Sequence, residues 1–369
     1  MLWTYLIILS ALLWLVILFL PWRPWSNREF LDSNKTSEGA DFSQVTVLIP
    51  ARNEASRIVK TLNALRNQGQ GFKVVLIDDE STDNTEEAAR KAGLTNLEII
   101  KGKPLPSGWS GKLWALEQGR RIVTTPLTLL IDADIELLPG ILPSLVEKMK
   151  SEGVNFISLM AQLRMKTFWE KLLMPAFVYF FKLIYPFRLS NSNIPWIAAA
   201  AGGCILVQTR ALNAIGGFES IRNALIDDCT LARRIKEHGY KTWIGLTHSA
   251  HSHRPYEGLS HIWNMVARTA FTQLLYSKFL LLLCSALLLL AFWAPVLGLF
   301  LMGINKIAAT VGLVSMFVTY IPTLRFYKLS ISWGTALPFI GTLYLAMTWT
   351  SALRYWLGIR SQWKNRIYS

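Results

Sequence analysis

Acidic residues and cysteines are scarce in this sequence. Only 24 Asp and Glu stand against 38 Lys and Arg in 369 residues, a net charge of +14, and 17% of the residues are charged. So sparse a charge excludes an intrinsically disordered chain, which needs low hydrophobicity and abundant charge to stay unfolded. With 52% hydrophobic residues and a mean hydropathy of +0.31, part of the chain is expected to lie in a membrane. The three cysteines, Cys204, Cys229 and Cys284, are far apart with no CxxC pair. That spacing excludes a disulfide scaffold and a cysteine-built zinc site, and reads as buried thiols in a reducing compartment. The positive excess suits anionic headgroups, nucleic acid or phosphate-bearing substrates, and its sign alone does not choose among them.

Long uncharged runs are present at both ends. Leu2 to Leu20 carries no charge and is long enough to cross a hydrocarbon layer of about 30 Å. No basic leader precedes it and Pro21-Trp22-Arg23-Pro24-Trp25 comes directly after, so an uncleaved transmembrane anchor over 1–22 is expected rather than a signal peptide. Arg23, Arg28 and Lys35 then place the polar middle of the chain in the cytoplasm and the N-terminus outside. A polar linker is expected over 23–43. Three more apolar runs, 279–303, 307–322 and 333–357, make 279–357 a region of membrane helices. Four spans would leave Arg360, Lys364 and Arg366 of the basic tail (358–369) outside, against the charge rule. One segment is therefore expected to be re-entrant or to lie flat, either around Pro295 or in the short run 307–322. Residues 172–187 are broken by Pro175, Lys182 and Pro186 and fit an interfacial segment or a buried core helix better than a span. Residues 259–278 read as amphipathic or interfacial.

Between these regions, 44–258 has the composition and length of one globular domain. Strand-like and helix-like stretches alternate: Gln44–Pro50, Glu54–Asn67, Lys73–Asp78, Thr82–Ala92, Leu97–Lys101, Lys112–Arg121 and Thr128–Ile131. This β-α-β-α order predicts an α/β fold with a mostly parallel sheet flanked by helices, because parallel neighbours need crossovers.

Several polar clusters fall at the ends of these strands, where ligands of such folds bind. Asp78-Asp79 can accept hydrogen bonds from a base or a ribose, whereas Asp83 in the same run suits helix capping. Asp132 and Asp134 lie two residues apart and project to one side. Hard oxygens of this kind hold Mg²⁺ or Mn²⁺ while a diphosphate completes the shell. Asp227-Asp228 opens a basic helix and reads equally as a cap or as a general base. The loop 104–112 (PLPSGWSGK) offers Trp109 and Lys112, the lysine toward phosphate, though its spacing is not that of a P-loop. His248, His251, His253 and His261 lack the spacing of a structural zinc site. Arg254 and Arg268 can meet phosphate or anionic lipid, and snorkelling alone also accounts for them.

Taken in order, VTVLIPARNEASRI, VVLIDDESTDNT, SGWSGKLWALEQG, LIDADI and AAAAGGCILVQTRALNAIGGF with LIDDCTLARRIKEHGY resemble glycosyltransferase family 2, of the GT-A fold. More narrowly, with HSHRPYEG, MVARTAFTQL and the WKNRIY tail, the chain is similar to hopene-associated glycosyltransferases, relatives of ceramide glucosyltransferases. The resemblance implies a membrane-bound inverting transfer from a nucleotide-diphosphate sugar, UDP-linked, to a hopanoid or other isoprenoid lipid. It implies no nucleic-acid partner, and a multi-pass location in a bacterial inner membrane. By the same resemblance Pro50, Arg52, Asn53, Glu54 and Asp79 hold the nucleotide, joined by Asp78 from its place at the strand end, Lys112 and Asp132 hold the donor, Asp134 the metal directly, and Asp228, beside Asp227, is the base. Met265 and Thr269 replace the glutamine and tryptophan of the family's Q-x-x-R-W around Arg268, which argues against processive chain extension. Two rival readings are a polyprenyl-phosphate glycosyltransferase and a membrane scaffold that binds nucleotide without turnover.

Overall fold

In this computed structural model the chain is described over residues 1–33 and 40–359, with the backbone of 362–363 and 366–367. Lys35, Arg360 and Lys364, with part of the expected linker and basic tail, lie outside the described residues. The chain divides into two compact units, one of residues 29–164 with 189–255 and the chain end, the other of 1–28, 165–188 and 256–360.

The first unit is built on eight strands. They are β1 (Val45–Ala51), β2 (Lys73–Asp78), β3 (Leu97–Lys101), β4 (Leu127–Ile131), β5 (Ile135–Leu137), β6 (Phe156–Gln162), β7 (Cys204–Gln208) and β8 (Thr242–Ser252). Their order in the sheet is β3-β2-β1-β4-β7-β6-β8-β5. The half from β3 to β4 is parallel. β7 runs antiparallel to both of its neighbours and β5 antiparallel to β8, so the sheet is mixed. Strands β1 and β4 are buried along their whole length, which explains their unbroken apolar reading. Side chains alternate between two cores, Val47 and Ile49 with Leu62 on one face, Leu48 with Leu113 and Leu116 on the other, as the two-residue repeat of a strand demands.

Two helices begin later than the sequence pattern predicts. The helix expected from Glu54 starts at Ile58, because the Glu54 N–H donates to Thr85 Oγ1 at 2.9 Å and that of Ala55 to Asp83 Oδ2 at 3.1 Å. The helix expected from Thr82 starts at Thr85, the Thr82 N–H being taken by Asn53 Oδ1 at 2.8 Å. The two loops knit to each other before either helix opens. Residues 29–33, expected as linker, run along β8 instead: Leu31 donates to Leu246 O at 3.0 Å and Asp32 accepts from His248 Nδ1 at 2.8 Å.

The second unit is helical. Leu2–Phe19, Lys278–Gly298, Ile304–Phe326 and Ile331–Trp356 are each long and apolar enough to cross a membrane, and apolar side chains such as Leu9, Leu283 and Val314 face outward. The chain is a membrane protein. Helix Lys278–Gly298 continues through Pro295, and the short run 307–322 lengthens into a 23-residue helix. Residues 168–184 form one helix with a capping box at Thr167. Its inner face is buried, with Tyr179 hydroxyl-bonded to Thr319 at 2.8 Å.

Gln68 is fully buried in the sheet unit. Its amide donates to Leu137 O at 3.0 Å and Leu138 O at 2.9 Å and accepts from Leu142 N–H at 3.2 Å. Gln68→Leu removes three hydrogen bonds to the backbone, and we expect a loss of about 2–4 kcal/mol in unfolding of the purified protein. A variant within about 0.5 kcal/mol of wild type would count against this account of the corner.

Candidate active site

The strand order explains why distant residues meet. β2, β1 and β4 are parallel neighbours, so the residues after them, Asp79, Arg52–Glu54 and Asp132, line one edge of the sheet. β7 pairs antiparallel with β4, Cys204 opposite Ile131, which brings Gly202 and Gly203 to the same edge. The Asp132 N–H donates to Gly203 O at 3.3 Å.

Lys112 reaches this edge from the first turn of helix Gly111–Arg120, which is capped by the Ser110 side chain. Its ammonium lies 2.8 Å from Asp132 Oδ1 and 3.6 Å from Asp227 Oδ2. Asp228, in the first turn of helix Asp227–Glu237, accepts from the Gly202 N–H at 2.9 Å and from its neighbour Cys229 N–H at 2.8 Å. A Cβ at Gly202 would sit 3.0 Å from Lys112 Nζ and 3.6 Å from Asp228 Oδ2, so a side chain there would press on the end of Lys112. A hollow lined by Pro50, Lys112, Asp132, Gly202, Asp227 and Asp228 opens among these groups.

The charges set one another. Burial pulls the Lys112 ammonium down, but Asp132, Asp227 and Asp228 outweigh it and hold its pKa well above the ordinary value. Burial pushes Asp132 up, with Lys112 opposing and Asp134 adding to the push. Asp228 is pushed up to about 7 by burial and then by Asp227, against Lys112 and the N–H groups of Cys229 and Gly202. One acid near neutrality beside a fixed cation suits general base work next to a bound phosphate.

A second cluster lies around Asp134. Asp134 is 4% exposed, accepts from Ser252 Oγ at 3.0 Å and lies 3.3 Å from Arg254 Nε. Arg254 also reaches Glu54 Oε1 at 3.5 Å, so this arginine joins the expected metal carboxylate to the first loop. Asp79 is fully buried, its backbone carbonyl accepting from Arg52, which also reaches Glu80 O at 3.1 Å. Asn53 takes a positive φ of 52° and donates to Ser81 Oγ at 3.0 Å. Asp78 accepts from the Ser81 N–H at 3.1 Å, beside a hollow lined by Glu80, Asp83 and Lys101.

One of the expected contacts lies elsewhere. Trp109 is buried in the second core, edge-to-face on Trp114 with ring centroids 5.1 Å apart, because an indole in a Gly-Ser loop found an apolar pocket. Arg268 belongs to the helical unit, as does His261. The other histidines take separate partners, His253 with Glu136 at 2.5 Å, His248 with Asp32, and His251 with His248 O at 2.8 Å. Gly202, Ser252 and Glu136 were not singled out from the sequence. The only signal for Gly202 was the Gly-Gly step before an apolar strand.

With this geometry in view, comparison with known proteins is specific. Residues 46–216 match the family described as Glycosyl transferase family 2. A 4,4'-diaponeurosporenoate glycosyltransferase of Staphylococcus haemolyticus is 32% identical over 113 residues, covering 31% of this chain and 30% of that one. Its namesake in Staphylococcus aureus is 34% identical over 94 residues, covering 26% and 24%. The alignments thus span under a third of these curated relatives. A mannosyltransferase from Pyrobaculum calidifontis, solved with GDP-Man and Mn2+, superposes over 95% of this chain and 99% of its own with a TM-score of 0.55 at 18% identity. That match establishes a shared fold of the GT-A type.

Lys112→Met removes the cation among these acids. Asp132 and Asp228, already raised by burial, then lie further above their unfolded value of about 4, and an acid raised on folding loses stability as pH rises through that interval. We expect the melting temperature of Lys112→Met to fall relative to wild type between about pH 4 and pH 8. Parallel melting curves in detergent across that range would refute the electrostatic reading.

Proposed function

We propose that the chain is an inverting glycosyltransferase that moves a sugar from a nucleotide-diphosphate sugar, UDP-linked, to an isoprenoid lipid, a hopanoid among the candidates. The observation that supports it most is the Lys112, Asp132, Asp227 and Asp228 cluster in a chain whose residues 46–216 match family 2 and that has four helices able to span a membrane. The relatives named for 4,4'-diaponeurosporenoate support a lipid of isoprenoid type as acceptor. The narrower likeness to hopene-associated glycosyltransferases supports the hopanoid.

In this reading Pro50, Arg52, Asn53, Glu54, Asp78 and Asp79 hold the nucleoside, while Lys112 and Arg254 face the diphosphate. Asp228 takes the proton from the acceptor hydroxyl. The freed oxygen attacks the anomeric carbon as the bond to diphosphate breaks, so configuration inverts in one displacement without a covalent enzyme intermediate. Asp227 anchors Lys112 and raises Asp228. Asp134 and Asp132 are hard oxygen donors suited to Mg²⁺ or Mn²⁺, and among the described residues no group of three His, Cys, Asp or Glu forms a metal cage. A site that leaves positions for diphosphate and water is what a divalent ion on a nucleotide sugar requires. When bound, the ion neutralises charge on the departing diphosphate.

UDP release by detergent-purified protein tests this, with Mn²⁺ or Mg²⁺, a panel of UDP-sugars and a bacterial lipid extract. We expect lipid-dependent release with an acid limb near pH 7, and a loss of about 10²-fold or more in Asp228→Asn with UDP binding retained. Undiminished turnover in that variant would overturn the assignment of the base. UDP binding without turnover for any donor would favour the scaffold reading. A product that resists mild acid marks a hydroxyl glycoside, and a labile one a polyprenyl phosphate acceptor.

A further inference from the structure

The helical unit settles a conflict that its sequence poses. Helix Lys278–Gly298 runs antiparallel to Leu2–Phe19. Trp14 Nε1 donates to Ala291 O at 2.7 Å, while a Cβ at Gly298 would meet Ile7 at 3.0 Å. It is antiparallel to Ile304–Phe326 as well, Gly298 facing Ala309 and Pro295 facing Gly312. Against the last helix, Leu337–Trp356, the pairs are Trp293 with Thr342 at 2.8 Å, Trp349 with Ser285 at 3.0 Å, and Leu281 beside Ala352. That pairing is antiparallel too. Two helices each antiparallel to a third run in the same direction, so Leu337–Trp356 keeps the sense of Ile304–Phe326 instead of returning from it. The connection 327–336 achieves this by turning back along the helix it has just left, with Gly334 against Phe317 and Leu324.

The consequence is a sharp charge asymmetry. One end of the bundle gathers Arg23, Arg28, Lys278, Arg325, Lys328 and Arg354, joined there by the Asn27 amide donating to Pro322 O at 2.6 Å. The other end, formed by residues 1–5 and 298–307, carries Lys306 as its one basic side chain among the described residues. We propose that the chain crosses the membrane three times, that 327–336 is re-entrant, and that the basic end is a collar seated on the anionic lipid headgroups of the cytoplasmic leaflet. The residues after Trp356 then emerge on that same cytoplasmic face. Basic residues near an anionic leaflet are held there by its negative surface potential, and the connection keeps backbone groups bonded as it turns, residues 331–336 forming a 3-10 helix with the Trp333 N–H donating to Ser330 O at 3.3 Å.

Topology reporters on the full chain test this without reference to catalysis. Alkaline phosphatase, active only outside the cytoplasm, and a green fluorescent protein, fluorescent only inside it, are fused in turn after Ser369, and at loop residue 301 by insertion. We expect the C-terminal fusion to be fluorescent with no phosphatase activity, and the insertion at 301 to show the reverse. An active C-terminal phosphatase would establish an even number of crossings and overturn the proposal. Should an insertion disturb assembly, single-cysteine labelling of Lys306→Cys and Lys328→Cys with an impermeant maleimide in intact cells replaces it. A cysteine placed at the chain end by Ser369→Cys is labelled alongside it: labelling at 306 alone is expected, and labelling at 369 overturns the re-entrant connection.

Discussion

One ammonium group among three carboxylates governs the sheet unit. Removing charges from water costs several kcal/mol per ion, and mutual attraction offsets that only when every group is paired and hydrogen-bonded. Lys112 pairs closely with Asp132 at 2.8 Å and more loosely with Asp227 at 3.6 Å, and the N–H groups of Gly202 and Cys229 bond Asp228. The cluster leaves a net negative charge, three acids against one base, at the edge of a parallel sheet. Such an excess is a stability cost. It makes sense for a site completed by something positive or by a reaction that delivers a proton.

The sheet order is what makes that cluster possible. Residues 50–54, 79 and 132 are tens of positions apart, but β2, β1 and β4 are adjacent and parallel, so their ends share one rim. β7 then enters antiparallel and brings its leading glycines to the rim from the opposite direction. A purely parallel sheet would have placed the start of β7 at the far edge, away from Asp228. The mixed sheet is thus a requirement of the site, and one that apolar periodicity does not encode.

The same division separates the legible from the hidden. The strand stretches around 45–51, 73–78 and 127–131 are legible because a buried strand needs an unbroken apolar run. Acids at their ends are legible because a charge directly after such a run has few structural uses. Helix starts at Ile58 and Thr85 were not legible, since they depend on side chains of one loop bonding the backbone of the other. Trp109 shows the converse limit, for a loop composition of Gly, Ser and Pro suggests exposure while the indole is 7% exposed and packed on Trp114. The direction of the last helix was equally hidden. Hydropathy counts segments and is blind to which way each one runs.

In the helical unit the lasting question is what fixes register, because apolar faces in lipid attract one another with little specificity. The unit is assembled from three separated stretches of chain, and a few buried polar groups join all three. Lys182, 1% exposed, donates to Ser26 O at 3.2 Å, to the Asn27 side chain and to Thr323 Oγ1 at 3.2 Å. Glu170, fully buried, accepts from the Lys166, Thr167 and Tyr256 N–H groups at 2.8, 3.0 and 2.9 Å. Each of these side chains is satisfied only in one arrangement of its neighbours, and sliding a helix by a turn would leave it buried and unpaired. A lysine and a glutamate therefore do for the order of the bundle what the apolar residues cannot, and they explain why charge persists in a helix that hydropathy alone would have kept greasy.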